Sequence, residues 1–141
     1  MFAVVAGCAT SAPDALLPYR VDGDEIREPL ALAPGNAARG KAIVVSRDSN
    51  CLLCHTVPDS GVRFMGNVGQ PLDGVGARLS AGQLRLRIVD SMRLNRETIM
   101  PSYYRVDGLN QVGEAWRGKP VLTAQQVEDT VAYLLTLRGP E

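Results

Sequence analysis

The feature that most constrains this chain is the run Cys51-Leu-Leu-Cys54-His55. Two thiols separated by two residues on a helical turn can reach both vinyl groups at one edge of a haem, and a histidine directly after them presents its imidazole to the iron from the same side. The histidine carries the specificity, because Cys-x-x-Cys alone is common. The motif predicts one covalently attached c-type haem, with thioether bonds to Cys51 and Cys54 and with His55 as the proximal ligand of the iron.

Three other chemistries use closely spaced cysteines. A structural zinc site needs four ligands, but neighbouring Cys54 and His55 side chains project in different directions and the usual second ligand pair is missing. A thioredoxin-like redox pair follows a strand in a βαβ unit, for which the sequence has no pattern. A Cys51–Cys54 disulfide fits only as a precursor or failed product of haem attachment. The four zinc candidates would be Cys8, Cys51, Cys54 and His55.

The ligand opposite His55 cannot be a second imidazole from this chain, because His55 is its only histidine. A methionine thioether is the natural neutral donor there. Met92 lies at the end of a predicted helix, where core packing is the default role. Met100 lies 45 residues after His55 in an irregular segment stiffened by Pro101, which gives it reach to the distal face. We therefore expect Met100 as the distal ligand of the iron, with Met65 as the second candidate.

The composition limits the class of protein. The chain has 141 residues, enough for one domain with a single core. It carries 15 basic and 15 acidic residues, and this zero net charge gives no sign of nucleic acid binding. Only two Phe, four Tyr and one Trp are present, few for a core of this size, so we expect a haem to supply central buried area. The residues expected to pack against it include Ile43, Leu84 and Leu134.

The first helical segment follows Asn36, which is suited to cap it. The helix is predicted over about 37–46, and its buried stripe is expected to contain Ala38, Ile43 and Val44.

Two capping boxes predict the remaining helices. Ser80-Ala-Gly-Gln83 opens a helix to about Asp90, and Thr123-Ala-Gln-Gln126 opens a final helix that Gly139-Pro140 ends. Segment 58–76 holds too many glycines for regular structure, and 102–121 is predicted as a long loop. The pattern therefore predicts an all-α fold.

The N-terminal part of the chain has a different character. Its first eight residues are typical of the end of an export signal, and Val5-Ala6-Gly7-Cys8 resembles a bacterial lipobox. Cys8 is thus a candidate lipid anchor, or an ordinary thiol in a leader. We divide the chain into a signal remnant or lipobox at 1–8, an extended, proline-rich arm at 9–35 and a helical haem-binding domain at 36–141. We expect it in the periplasm, either free or anchored through Cys8.

The same residues resemble a known family. The order of a glycine-containing first helix, Cys-x-x-Cys-His, glycine-rich loop, Met100-Pro101 and a terminal helix with Tyr133-Leu134 is similar to class I cytochromes c over about 36–138. Within that class the chain resembles the monohaem subunit X of the bacterial sulfur-oxidation (Sox) pathway. The stretches that carry this resemblance are Gly66-Asn-Val-Gly69, Leu72-Asp-Gly-Val-Gly-Ala-Arg-Leu79, Glu97-Thr-Ile-Met-Pro-Ser-Tyr-Tyr-Arg105, Gly118-Lys-Pro-Val-Leu-Thr123 and Val127-Glu-Asp-Thr-Val-Ala-Tyr-Leu-Leu135.

The resemblance implies the all-α class I cytochrome c fold, wrapped around one haem and preceded by the N-terminal arm. It also implies pairing with a SoxA-type cytochrome subunit in a heterodimer, an L-cysteine S-thiosulfotransferase that oxidatively couples thiosulfate to a cysteine of a SoxYZ-type carrier. This chain would accept the electrons and pass them to a downstream cytochrome. With two cysteines given to haem, only Cys8 is left, so no catalytic residue is expected here and the catalytic cysteine is expected on the partner.

The alternative is a free-standing periplasmic cytochrome that shuttles electrons. Possible docking surfaces are the arginine-rich segment 78–96 and the Tyr103-Tyr104 loop. The sequence departs from class I cytochromes c at one step, where Gly69-Gln70-Pro71-Leu72 replaces the usual Gly-Pro before the leucine. Which backbone carbonyl accepts a hydrogen bond from His55 is left open by this change.

Overall fold

The computed structural model describes residues 16–139, so Cys8 and the predicted signal remnant lie outside the described residues. It contains four α-helices and three short 3-10 turns, and within the described range the only β-pairing is an isolated bridge between Asp22 and Glu25. The predicted all-α fold is confirmed. The division of the chain at residues 8 and 35 stays a prediction. The helices are α1 (Ala37–Val45), α2 (Val75–Arg78), α3 (Ala81–Asp90) and α4 (Ala124–Thr136), and the 3-10 turns are Cys51–Leu53, Ser91–Arg93 and Glu114–Trp116.

Helix α1 begins as predicted, because the Asn36 side chain accepts a hydrogen bond from the backbone N–H of Arg39 at 2.9 Å. Val44 is buried and Ile43 packs at the edge of the core. The expectation for Ala38 is wrong, since Ala38 is exposed. The buried face contains Gly40 and Val44, which are four residues apart, and Ala38 lies off that face of the helix.

Helices α1 and α4 cross closely at Gly40. A Cβ atom at this position would collide with the backbone carbonyl of Asp129 and with the side chain of Tyr133. The crossing is reinforced by Arg39, whose Nε and Nη2 donate to the Asp129 carboxylate at 2.6 and 2.8 Å. Burial alone would raise the pKa of Asp129, but the Arg39 guanidinium and the backbone N–H of Asn36 hold it below its usual value. Asp129 is therefore ionised where it joins the two helices.

Both predicted capping boxes are present. The Ser80 and Gln83 side chains satisfy each other's backbone N–H groups at the start of α3, and Thr123 and Gln126 do the same for α4. The apolar stripes that follow are buried and form much of the core. They comprise Leu84, Leu86, Ile88 and Val89 in α3, and Val127, Val131 and Leu134 in α4.

The glycine-rich segment holds one helix that the sequence reasoning missed. Residues 58–76 were expected to lack regular structure, but α2 begins within them at Val75. Gly74 precedes this helix with a φ of +66°, a conformation that glycine adopts without strain. Gly76 lies against the backbone of Leu135 in α4, where a side chain would collide. These two glycines permit a turn and a close contact, so they position the helix.

The segment over 16–35 packs onto the helices. Ile26 is completely buried and Leu30 is nearly so. Between them and the helices lies a buried ion pair, in which Arg85 Nε and Nη2 donate to the Glu128 carboxylate at 2.7 and 2.8 Å. Arg85 also donates to the carbonyl of Ile26, and Glu128 accepts from the N–H of Leu30. The pair therefore fixes this segment to both α3 and α4.

Tyrosines supply much of the aromatic core. Tyr103, Tyr104 and Tyr133 are buried, whereas Trp116 is 54% exposed. Among residues 16–139, no helix is long and apolar enough to cross a membrane.

Candidate functional site

The cysteine motif forms a tight turn. Residues 51–53 make a 3-10 helix, and the backbone N–H groups of Cys54 and His55 both donate to the carbonyl of Cys51, at 3.2 and 3.0 Å. Asn50 enters the turn in the left-handed conformation, which asparagine tolerates better than most residues. Both thiols are free and partly exposed. The turn therefore places two thiols and one imidazole within five consecutive residues.

The glycine-rich loop runs alongside this turn and is tied to it by backbone hydrogen bonds. Gly66 N–H donates to the carbonyl of Leu52 at 2.8 Å, and Gly69 N–H donates to that of Cys54 at 2.7 Å. A Cβ atom at Gly66 would collide with the carbonyl of Leu53, so this approach requires glycine. The loop holds the motif through its main chain rather than its side chains.

The imidazole of His55 is oriented by Gln70. Its Nδ1 lies 2.6 Å from the Gln70 backbone carbonyl oxygen, which can only accept a hydrogen bond. The proton is therefore on Nδ1, and the lone pair of Nε2 is free to bind a metal. Gly69 lies against the ring, where a Cβ atom would come within 2.5 Å of Cε1. The acceptor that the sequence left open is thus the carbonyl directly before Pro71.

Two methionine sulfurs within the described residues are already engaged. Met65 Sδ accepts hydrogen bonds from Val57 N–H at 3.3 Å and from Ser60 Oγ at 3.4 Å, which holds it against the segment just after His55. Met92 Sδ accepts from Arg105 Nη2 at 2.9 Å. Neither sulfur is free to act as an iron ligand without breaking these contacts.

Met100 is held differently. Its backbone N–H donates to Thr98 Oγ1 at 3.2 Å, and its carbonyl accepts from Ser91 Oγ at 2.7 Å. Its side chain packs at the edge of the core and is partly exposed, and its sulfur accepts no hydrogen bond from residues 16–139. The backbone is fixed while the thioether is available as a donor.

The chain after Met100 returns to the core. Ser102 Oγ donates to the buried Asp90 carboxylate at 2.9 Å, and the N–H of Tyr103 donates to the carbonyl of Ile88 at 3.0 Å. Tyr103 and Tyr104 are 6% and 1% exposed, so the expectation that this pair forms a docking surface is wrong. Their rings are large apolar groups that the fold uses as core.

The arginine-rich segment 78–96 offers fewer exposed arginines to a docking partner than its sequence suggests. Arg85 is 4% exposed because it pairs with Glu128, so it cannot contact a partner. Arg96 is exposed, and the side chain of Arg93 is 64% exposed while it lies 3.7 Å from the Asp90 carboxylate.

The residues present fit a haem. The free Nε2 of His55 and the thioether of Met100 are the nitrogen and sulfur donors that haem iron accepts, and Cys51 and Cys54 are free to form thioethers. Several apolar side chains pack against the core while staying partly exposed, so they are available to contact an apolar group such as a haem. They include Leu52, Leu72, Leu79 and Met100. Within residues 16–139, no three His, Cys, Asp or Glu side chains are grouped as ligands of a metal ion, so the zinc alternative finds no ligand set there.

Comparison with known proteins agrees with this chemistry. The cytochrome c family model matches residues 37–138. The crystal structure of SoxXA from P. pantotrophus superposes with a TM-score of 0.78 and 35% sequence identity, covering 85% of this chain and 94% of that chain. No curated protein sequence matches significantly.

The chain therefore belongs to the cytochrome c family, and its fold is the class I cytochrome c fold. Within that family it is a SoxX-type monohaem cytochrome, and it carries one covalently bound c-type haem.

Proposed function

We propose that Cys51 and Cys54 form the thioether bonds to the haem, that His55 Nε2 is the proximal ligand of the iron and that Met100 Sδ is the distal one. The free Nε2 lone pair supports the first ligand, and the unengaged sulfur of Met100 supports the second over Met65. When bound, the haem supplies reversible one-electron transfer.

The protein's own residues tune this site. The carbonyl of Gln70 keeps the proton on Nδ1 of His55 and fixes the orientation of the imidazole ring. Ser91 and Thr98 hold the backbone of Met100, which would limit the movement of a sulfur bound to the iron. An apolar surround and a thioether ligand would each raise the reduction potential of the bound haem. With both His55 and Met100 bound, the iron would have no open position for a small substrate.

We propose further that this chain is the electron-accepting subunit of a heterodimer that couples thiosulfate oxidatively to a cysteine of a carrier protein. In this reaction a sulfur–sulfur bond forms between thiosulfate and the carrier thiol, the thiol loses its proton and two electrons leave. The chain takes these electrons one at a time and passes them to a downstream cytochrome. The match to SoxXA over 94% of the matched chain is the observation that carries this proposal.

The reacting thiolate is assigned to the partner subunit. Cys51 and Cys54 are the cysteines among residues 16–139, and both are given to the haem. The chain is then an electron carrier within an enzyme, located in the periplasm, with Cys8 as the site of any lipid anchor. Intact-mass measurement of the periplasmic protein tests haem count, cleavage site and acylation of Cys8 together.

The assembly is tested by co-expression in the periplasm with a SoxA-type cytochrome, using an affinity tag on this chain. We expect a stable one-to-one complex, and we expect thiosulfate plus a SoxYZ-type carrier to reduce the haem of this chain. The Met100→Leu variant is the matched control, because it should keep the complex but accept electrons poorly. A monomer that exchanges electrons rapidly with other cytochromes and forms no complex would instead establish the free-standing shuttle.

A further inference from the structure

Tyr103 links two distant parts of the chain. Its phenol O–H donates to the backbone carbonyl of Ser49 at 2.6 Å, across 54 positions of sequence, and both residues are buried. Ser49 is itself fixed, because its hydroxyl donates to the carbonyl of Ile43 near the end of α1 at 2.6 Å. The Tyr103 backbone is fixed on both sides as well, since its N–H donates to Ile88 and its carbonyl accepts from Leu122. The link joins two rigid points.

Each end of this link lies beside a part of the proposed haem site. Tyr103 follows Met100 by three residues, and Ser49 precedes Cys51 by two. The connection from Met100 to Tyr103 is stiff, because Pro101 restricts the backbone and Ser102 is tied to Asp90 at 2.9 Å. Movement of Met100 away from the iron would therefore pull on the Tyr103–Ser49 bond.

We propose that Tyr103 is a positioning residue that ties the Met100 segment to the cysteine turn and so slows dissociation of the Met100 sulfur from the iron. The proposal rests on the ligand assignment made above. Without this bond, the segment between Ser91 and Leu122 is joined to the cysteine turn more loosely, and the thioether leaves the iron more often.

The chemistry of the phenol suits this role. Burial raises the pKa of Tyr103, so the group keeps the proton that it donates. Loss of the hydroxyl would leave the Ser49 carbonyl buried without that partner, which is costly. The neighbouring Tyr104 differs, because its hydroxyl accepts from the N–H of Leu17 in the N-terminal segment at 2.7 Å and has no link to the cysteine turn.

The test compares Tyr103→Phe with Tyr104→Phe, two buried tyrosines that each lose only a hydroxyl. Cyanide binding to the ferric holoprotein is measured at saturating cyanide, where loss of the methionine ligand limits the rate. We expect Tyr103→Phe to bind about fivefold faster than the wild type, the factor that one net hydrogen bond supplies. Tyr104→Phe should stay within about twofold, because its hydrogen bond lies away from the ligand. Equal rates for the two variants would overturn the proposal.

The Met100→Leu variant separates this proposal from the ligand assignment. Fast cyanide binding by Met100→Leu beside a wild-type rate for Tyr103→Phe would overturn the role of Tyr103 alone. A wild-type rate for Met100→Leu would overturn the ligand assignment, and the role of Tyr103 with it.

A measurement on the wild type covers the case in which Tyr103→Phe yields no holoprotein. In the proton NMR spectrum of the reduced protein, we expect a resolved and slowly exchanging hydroxyl resonance from Tyr103. Rapid exchange of that proton with water would show that the bond to Ser49 opens freely, which would overturn the proposal.

Discussion

The two regions that carry the proposed iron ligands are built in different ways. The proximal region, from Cys51 to Leu72, is held mainly by backbone hydrogen bonds, and glycines allow the loop to approach the cysteine turn. In the distal region, from Asp90 to Leu122, backbone hydrogen bonds hold Tyr103, but the segment around Met100 is held by the side chains of Ser91, Thr98 and Ser102. We therefore expect most side-chain substitutions to leave the proximal region intact. Removal of a single hydroxyl in the distal region should instead loosen the segment that carries the proposed distal ligand.

The largest loss of stability is expected at Gly69, where the proximal region has no space for a side chain. In Gly69→Ala, the new Cβ would lie 2.5 Å from His55 Cε1, so the ring has to move away from the carbonyl of Gln70. We expect a loss of stability of about 1–3 kcal/mol and a sharp fall in the yield of holoprotein. The measurement is haem absorbance per protein, followed by urea unfolding.

The control for this substitution is Gly113→Ala. A Cβ at Gly113 meets no atom within 4 Å, and its φ of −56° is ordinary for alanine. We expect a change within about 0.5 kcal/mol. Equal losses for the two variants would mean that the contact between Gly69 and His55 is not what limits haem attachment.

The next largest effect is expected at the distal ligand. Met100→Leu removes the thioether donor, so the reduction potential should fall on the order of 0.1 V, part of the roughly 0.8 V that axial ligands span. The ferrous iron should then bind carbon monoxide. Met65→Leu should do neither, because Met65 Sδ bonds to Val57 and Ser60 instead. Redox titration with a carbon monoxide difference spectrum decides between the two methionines, and the reverse result would make Met65 the ligand.

A smaller effect is expected from single hydroxyls, and it tests the contrast between the regions directly. Ser91→Ala removes the hydrogen bond to the Met100 carbonyl and should cost about 1 kcal/mol. Its proximal counterpart, Ser60→Ala, removes a partly exposed hydroxyl that contacts Met65 and should cost less than about 0.5 kcal/mol. Both are read by urea unfolding of the holoprotein. If Ser60→Ala costs as much as Ser91→Ala, the contrast between the two regions fails.

The smallest effect on the haem site is expected from a substitution of Asp129, which lies between α1 and α4. Its effect should be on the stability of the fold rather than on the haem. The pKa of Asp129 is lowered from 3.8, so it contributes stability that is present above pH 3.8 and is lost as the pH falls through its lower value in the folded protein. Asp129→Asn should be less stable than the wild type at pH 7, with an unchanged haem spectrum. The two proteins should converge in stability as the pH falls below about 4. A constant difference between them would show that Asp129 does not titrate in this way.

Local sequence patterns predicted much of the fold. The cap at Asn36 and the capping boxes at Ser80 and Thr123 predicted the start of three helices, because each cap is satisfied by the residue three positions further on. The wrong prediction for Ala38 also came from a local pattern. A periodic pattern allows several neighbouring faces, and only the partner helix selects one.

Contacts between residues distant in sequence could not be predicted from such local patterns. The pairing of Arg85 with Glu128 spans 43 positions and that of Tyr103 with Ser49 spans 54. The sequence pattern predicts Gly74 and Gly76 as helix breakers, because their contacts with the α4 region depend on tertiary structure. At the site, the motif predicted Cys51, Cys54 and His55 as a group, but the acceptor of the His55 hydrogen bond required the folded loop.

The most direct test of the account is the mass of one tryptic peptide from the matured protein. Cleavage after Arg47 and Arg63 releases residues 48–63, which contain both cysteines and His55. We expect this peptide to absorb visible light and to carry the added mass of one haem. A colourless peptide with the mass of its amino acids, or of a Cys51–Cys54 disulfide, would contradict it.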